Sequence, residues 1–157
     1  MKKKILMLVA MMFLFMGTVF AKYVPENVSI GGIAFNSSDS YVRSVYGAPT
    51  NIRQNFNHLY GENTVIYSYN DSLLITFVKN KATFLTSKTK NGLKTQQGIA
   101  VGDSFEKVLN TYGNPISSFR RDGLECNYFG NNVGYGIGYM FSVLHGKVVK
   151  IDAGLFD

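Results

Sequence analysis

The chain has 157 residues, of which 46% are hydrophobic, 14% aromatic and 17% charged, with three prolines and no tryptophan. That balance excludes a disordered or collagen-like chain and leaves no room for a proline-rich linker. The formal net charge of +6 overstates the basic character, because three of the sixteen Lys and Arg residues fall within the first four positions.

Those lysines, Lys2 to Lys4, precede an apolar run from Ile5 to Phe20 that ends in Val19-Phe20-Ala21. A basic start, an apolar stretch of about 16 residues and small or apolar residues at the end read as a secretory signal peptide over 1–21, too short for a membrane span. Its removal leaves 13 basic against 10 acidic residues, a net +3 over residues 22–157. That is the size of one domain, with no stable membrane span after cleavage. An exported domain of such modest charge gives no support for a nucleic-acid partner. Its single cysteine, Cys126, cannot form an internal disulfide, so the core must hold the domain together.

The first helix is expected after Ser37 as cap, with Val42, Val45 and Tyr46 on one face, Gly47 ending it and Pro49 preventing its resumption. Three β-rich runs follow at 64–69, 73–78 and 81–85, separated by Asn70-Asp71-Ser72 and Lys79-Asn80. Tyr67, Tyr69, Leu73, Ile75 and Phe77 alternate with small or polar residues, so one face is buried and the other wetter. Residues 87–95 read as a polar, basic surface connector. The second helix is expected with Asp103 as cap and Glu106 three positions on, Phe105, Val108, Leu109 and Tyr112 on one face, and Gly113 and Pro115 closing it. Strands are then expected at 124–129, 139–144 and 147–152, with His145-Gly146 as a tight turn. Val148 and Ile151 stand three apart and break the two-residue period, which implies a bulge.

The two series are copies. Residues 32–49 laid over 98–115 at an offset of 66 give eight identities in eighteen, including Gly32/Gly98, Ser38/Ser104, Val42/Val108, Tyr46/Tyr112 and Pro49/Pro115. Average usage predicts roughly one. The expected fold class is therefore α+β: two tandem pseudo-symmetric units, about 30–86 and 96–152, each a short helix followed by a three-stranded antiparallel meander. Helices this short are not stable in isolation and must lie on the sheet.

The run Gly98-Ile99-x-x-Gly102-x-Ser104-x-x-x-Val108-x-x-x-Tyr112-Gly113-x-Pro115 resembles the helical motif of the β-lactamase inhibitor protein family, whose modules come in tandem. It also resembles the single module of the SmpA/OmlA type of β-barrel-assembly lipoproteins. The resemblance covers most of 30–152 and implies helices packed on one face of a curved antiparallel sheet. Asn36 stands where the second copy has Gly102, and Asp39 where it has Phe105. There is no lipid-anchoring cysteine, and Cys126 alone cannot make the inhibitor family's disulfides. No inhibitory residue is carried over.

No group of residues makes a case for chemistry. His58 and His145 lack a ligand or base partner at workable spacing, and Asp39, Asp103 and Glu106 are explained by helix starts. The expectation is no enzyme, no catalytic residue, no metal and no cofactor. The segment 130–138, with glycines at 130, 134, 136 and 138, is not a phosphate loop: a strand follows it, not a helix. It is either a strand with one bare glycine face or a long mobile hairpin loop. Val133, Tyr135, Ile137 and Tyr139 point to one side, where they either fill the core or form an aromatic contact strip. Together with Tyr67 and Tyr69 they are the candidate binding residues. Lys88, Lys90, Lys94, Arg120 and Arg121 are solvated loop charges or a weak anchor to an anionic surface. The expected function is an exported, non-catalytic module, periplasmic or extracellular, that binds another envelope or secreted protein. The alternatives are a protein held by charge to anionic polymer or lipid, or an inhibitor-like protein as the resemblance implies.

Overall fold

The computed structural model describes residues 28–58, 61–131 and 136–156. The expected signal peptide, and Val133 and Tyr135 among the candidate binding residues, lie outside them. A two-residue hairpin, β1 (Ser29–Ile30) and β2 (Ile33–Ala34), leads into α1 (Asp39–Tyr46). Four strands follow: β3 (Asn51–Asn57), β4 (Glu62–Tyr69), β5 (Leu73–Val78) and β6 (Lys81–Ser87). The second half has α2 (Phe105–Tyr112), then β7 (Ser117–Arg121), β8 (Leu124–Gly130), β9 (Gly136–Leu144) and β10 (Lys147–Phe156).

This corrects the expected fold class. The described residues are mostly β, 55% strand against 13% helix, and do not form a pair of helix-plus-three-strand units. All eight long strands form one antiparallel sheet in the order β3-β4-β5-β6-β10-β9-β8-β7. The strands that periodicity missed, β3 and β7, are the two edges. Six of the seven residues of β3 and four of the five of β7 are exposed, so neither carries the apolar alternation that marks a half-buried strand. One signal was there: Asp122-Gly123, with φ of 51° and 77°, is the two-residue turn that joins β7 to β8. The meanders meet at the centre of the sheet, where Ile151 pairs with Ser87 and Ala153 with Leu85.

The 66-residue offset recurs in the hydrogen bonds. Ala82 N donates to Ser37 O at 2.8 Å, and Val148 N to Asp103 O at 2.9 Å. Asn36 N donates to Ala82 O as Gly102 N does to Val148 O. Asn36 and Gly102 share positive φ, 67° and 100°, and asparagine is one of the few residues besides glycine that tolerates it. The helix caps sit one residue later than expected, at Ser38 and Ser104, whose hydroxyls accept from Tyr41 N and Lys107 N at 3.2 Å. Ser37 and Asp103 instead close the preceding turn by accepting from Ala34 N and Ala100 N. The bulge lies between Val148 and Lys150. The stretch 87–95 is less open than expected: Ser87 and Thr95 are buried, and Gly31 N donates to Lys94 O at 2.9 Å.

The main core lies between the helices and one face of the sheet. Val42 and Val108 are fully buried there, with Ile75, Leu85, Phe141 and Ile151 beneath them. Val28, Ile30 and Ile33 of the N-terminal hairpin join the same cluster. Tyr139 of β9 ties that hairpin down, because its hydroxyl accepts from Ser29 N at 2.8 Å and donates to Ser29 O at 3.1 Å.

Candidate functional site

Of the tyrosines singled out from the sequence, Tyr67, Tyr69 and Tyr139 lie on the covered face. They are 5%, 8% and 0% exposed, so all three side chains are part of the core. Their hydroxyls are spoken for as well. Tyr67 donates to Asp39 Oδ2 at 3.0 Å and accepts from Arg43 Nη2 at 2.6 Å, and Tyr69 reaches Gly47 O. Ile137, half-buried, packs against the same cluster. Burial raises the Tyr69 phenol above its ordinary range, which suits a neutral core hydroxyl. The structure therefore brings the described candidates together on the covered face, with Tyr67, Tyr69 and Tyr139 buried and Ile137 half-buried.

Successive side chains on a strand point to opposite faces, so the residues that alternate with these, and their cross-strand partners, define the uncovered face. There the structure has a hollow of about 750 Å³, lined by residues from Leu74 on β5 to Ser117 and Phe119 on β7. In a flat sheet β5 and β7 would stand about 24 Å apart, at the usual strand spacing. A single hollow touching both requires the sheet to curl around it.

Register orders the lining along the strands. At one end Phe84 and Phe156 meet edge to face with centroids 5.2 Å apart, and Tyr128 meets Phe156 at the same distance. These rings overlie a row in which Phe84 pairs with Gly154, Gly154 with Gly138 and Gly138 with Gly130. That row accounts for Gly130 and Gly138: a Cβ at Gly138 would come within 2.7 Å of the Tyr128 ring, and one at Gly130 would strike the Tyr128 hydroxyl. The bare face of β9 receives an aromatic ring from β8, not a helix.

In the middle, Asp152 pairs with Thr86 on one side and Met140 on the other. Asp152 is only 4% exposed. Its carboxylate accepts from Thr86 Oγ1 at 2.7 Å and holds Lys150 Nζ at 2.7 Å, which satisfies a charge that would otherwise be costly to bury. The Tyr128 hydroxyl is buried with no hydrogen-bond partner among the described residues, and burial pushes its phenol above the ordinary range. At the far end stand Lys88, Lys150 and Arg121, the last with its guanidinium 5.4 Å from the Phe119 ring. Cys126, also in the lining, is buried and lies 3.8 Å from Ser142 Oγ.

The sequence reads Lys88 and Arg121 as solvated loop charges or a weak anchor to an anionic surface, and does not single out Asp152, Tyr128, Phe84 or Phe156. The signal was the second phase of the alternation: Phe84 and Thr86 on one strand with Lys88 just past its end, and Lys150, Asp152 and Phe156 on another. His58 and His145 are exposed, away from this hollow, His58 stacked edge-on against Phe56. Among the described residues no three His, Cys, Asp or Glu side chains gather as metal ligands, and no helix is long and apolar enough to cross a membrane.

No family model matches the sequence, and no curated protein does. Two solved structures superpose on this chain. An extracellular protein containing a SCP domain from Bacillus anthracis superposes with a TM-score of 0.51 at 11% identity, over 78% of this chain and 44% of that one. This chain thus spans less than half the length of that protein. A DUF4309 family protein from Bacillus subtilis superposes with a TM-score of 0.40 at 9% identity, over 75% of this chain and 78% of that one.

Proposed function

We propose that this chain is an exported, non-catalytic binding module of the cell envelope, and that it holds its partner protein in the groove on the uncovered face of the sheet. The observation that carries the reading is the one-sided construction of the sheet: helices close one face, while the other keeps a hollow of about 750 Å³ with aromatic and charged walls. A hollow of that size, mostly apolar with a few placed polar groups, is the usual form of a ligand site. The one carboxylate in its lining is occupied in holding the wall together, Asp152 with Thr86 and Lys150, which favours binding over catalysis. Export is supported by the leader-like sequence of 1–21.

The test is affinity capture from envelope fractions with the full chain, expressed with its own leader and recovered after export. A partner retained by the wild type and lost by Met140→Arg, which places a charge in the groove floor, supports the reading. A partner retained equally by both would remove the groove from the interface. Intact mass of the recovered protein checks the leader, which is expected to be gone after Ala21. Adhesion by charge alone, the second reading, draws on Lys88, Arg121 and Lys150, and retention would then fall steeply between low and physiological salt.

A further inference from the structure

The groove is graded along the strand direction, and that grading is informative about small ligands independently of any protein partner. Phe156 lies six residues from Lys150 on the same strand, a span of about 20 Å at the usual rise per residue. Phe84, Phe156 and the Tyr128 ring make the apolar end, and Met140 and Leu74 continue the apolar floor. The pairing of Ile151 with Ser87 places Lys150 beside Lys88 at the next step of the register, and Arg121 enters the same lining from β7. Three cations face one carboxylate in this groove, and that carboxylate is already paired with Lys150. Neither Lys88 nor Arg121 has an ion pair among the described residues.

We infer that the groove binds a single-chain amphipathic anion, with its carboxylate or phosphate at Lys88, Lys150 and Arg121 and its apolar chain running past Met140 towards Phe84 and Phe156. The fit is one of length, volume and charge. An extended chain of about a dozen carbons spans most of the 20 Å between the two ends. The volume of about 750 Å³ falls within the range that encloses one ligand of drug size. Guanidinium and ammonium groups are strong donors to carboxylate and phosphate oxygens. The apolar chain would cover ring surface left uncovered on this side of the sheet, which favours binding in proportion to the area removed from water.

The inference is tested by titration calorimetry of the full exported chain with dodecanoate and dodecyl phosphate below their micellar concentrations. Dodecanol and dodecyltrimethylammonium carry the same chain with a neutral or cationic head. Both anions are expected to bind at least about tenfold more tightly than either control, the factor corresponding to loss of one charge-assisted hydrogen bond. The double variant Lys88→Gln, Arg121→Gln changes groove-rim residues and is expected to fold normally while losing at least about tenfold in affinity for the anions. Equal affinity for all four head groups, no effect of the double variant on a folded protein, or no binding at all would each overturn the inference. Binding to phosphatidylglycerol vesicles without binding to monomeric dodecanoate would also overturn it, by assigning the cations to a membrane surface. Anion binding that persists when protein capture is indifferent to Met140→Arg would support this inference and remove only the partner reading.

Discussion

The two faces of the sheet are built from the same strands, residue by residue in alternation, yet they are finished in opposite ways. On the covered face the tyrosine hydroxyls are paired: Tyr67 with Asp39 and Arg43, Tyr112 with Thr95 and Gln97, Tyr139 with Ser29. On the uncovered face the buried Tyr128 hydroxyl has no partner among the described residues, and the rings around it stand beside a hollow. A face whose polar groups are satisfied and whose apolar area is covered has little left to offer a ligand. A face that keeps an unmet hydroxyl, uncovered rings and unpaired cations does.

The largest test of that contrast is Tyr112→Ala. The ring is 1% exposed and stacks on Phe129, Tyr139 and Phe141 at centroid distances of 5.5–5.7 Å. Its truncation should cost about 3–5 kcal/mol of unfolding free energy, read by urea denaturation; a loss below 1 kcal/mol would deny that this face is the main core. Gly138→Val is next, because its side chain must displace the Tyr128 ring or the Phe129 carbonyl. About 1–3 kcal/mol is expected, with a change in near-ultraviolet circular dichroism as the rings move.

Asp152→Ala strands the buried Thr86 hydroxyl and should cost about 1–3 kcal/mol. A neutral outcome in thermal unfolding would mean that the Asp152–Thr86 bond does not form in solution. At the covered-face margin, the Lys107 ammonium bonded to Asp103 holds that carboxyl below its ordinary 3.8, assisted by Ala100 N. A depressed folded-state value adds stability that is present above the ordinary range and is lost as the pH falls through the lowered one. Asp103→Asn should therefore flatten the acid limb of the stability profile by less than about 1 kcal/mol, since the pair is partly exposed. The smallest change in stability, within about 0.5 kcal/mol, is expected for Lys88→Gln with Arg121→Gln. That pair should nevertheless show the largest change in ligand affinity, so stability and binding would separate along the same line as the two faces.

Much of the covered face was legible in the sequence. The spacing of Val42, Tyr46, Val108 and Tyr112 located both helices, although Val45, expected on the same face, is exposed, and Tyr67, Tyr69, Leu73, Ile75 and Phe77 located the inner phase of two strands. Burial against helices needs apolar side chains at a fixed period, and that period is written in a linear string. The edge strands were not legible, because Asn51 to Asn57 and Ser117 to Arg121 are held by one neighbour's backbone rather than by burial of their side chains. Nor was the groove: Thr86 and Asp152 are 66 positions apart, and nothing local marks them as partners.

The sequence by itself determined the 66-residue periodicity and the two short helices with their glycine stops. These follow from steric and hydrophobic rules that act over a few residues. Only the tertiary structure decided that the two meanders join through β6 and β10 into one curled sheet. That junction brings Asp152 to Thr86, lays Tyr128 over a row of glycines and gathers Lys88, Lys150 and Arg121 around one hollow. Strand order is set by long-range pairing of backbone groups that every residue carries alike. No short-range pattern of side chains could announce where the site would form.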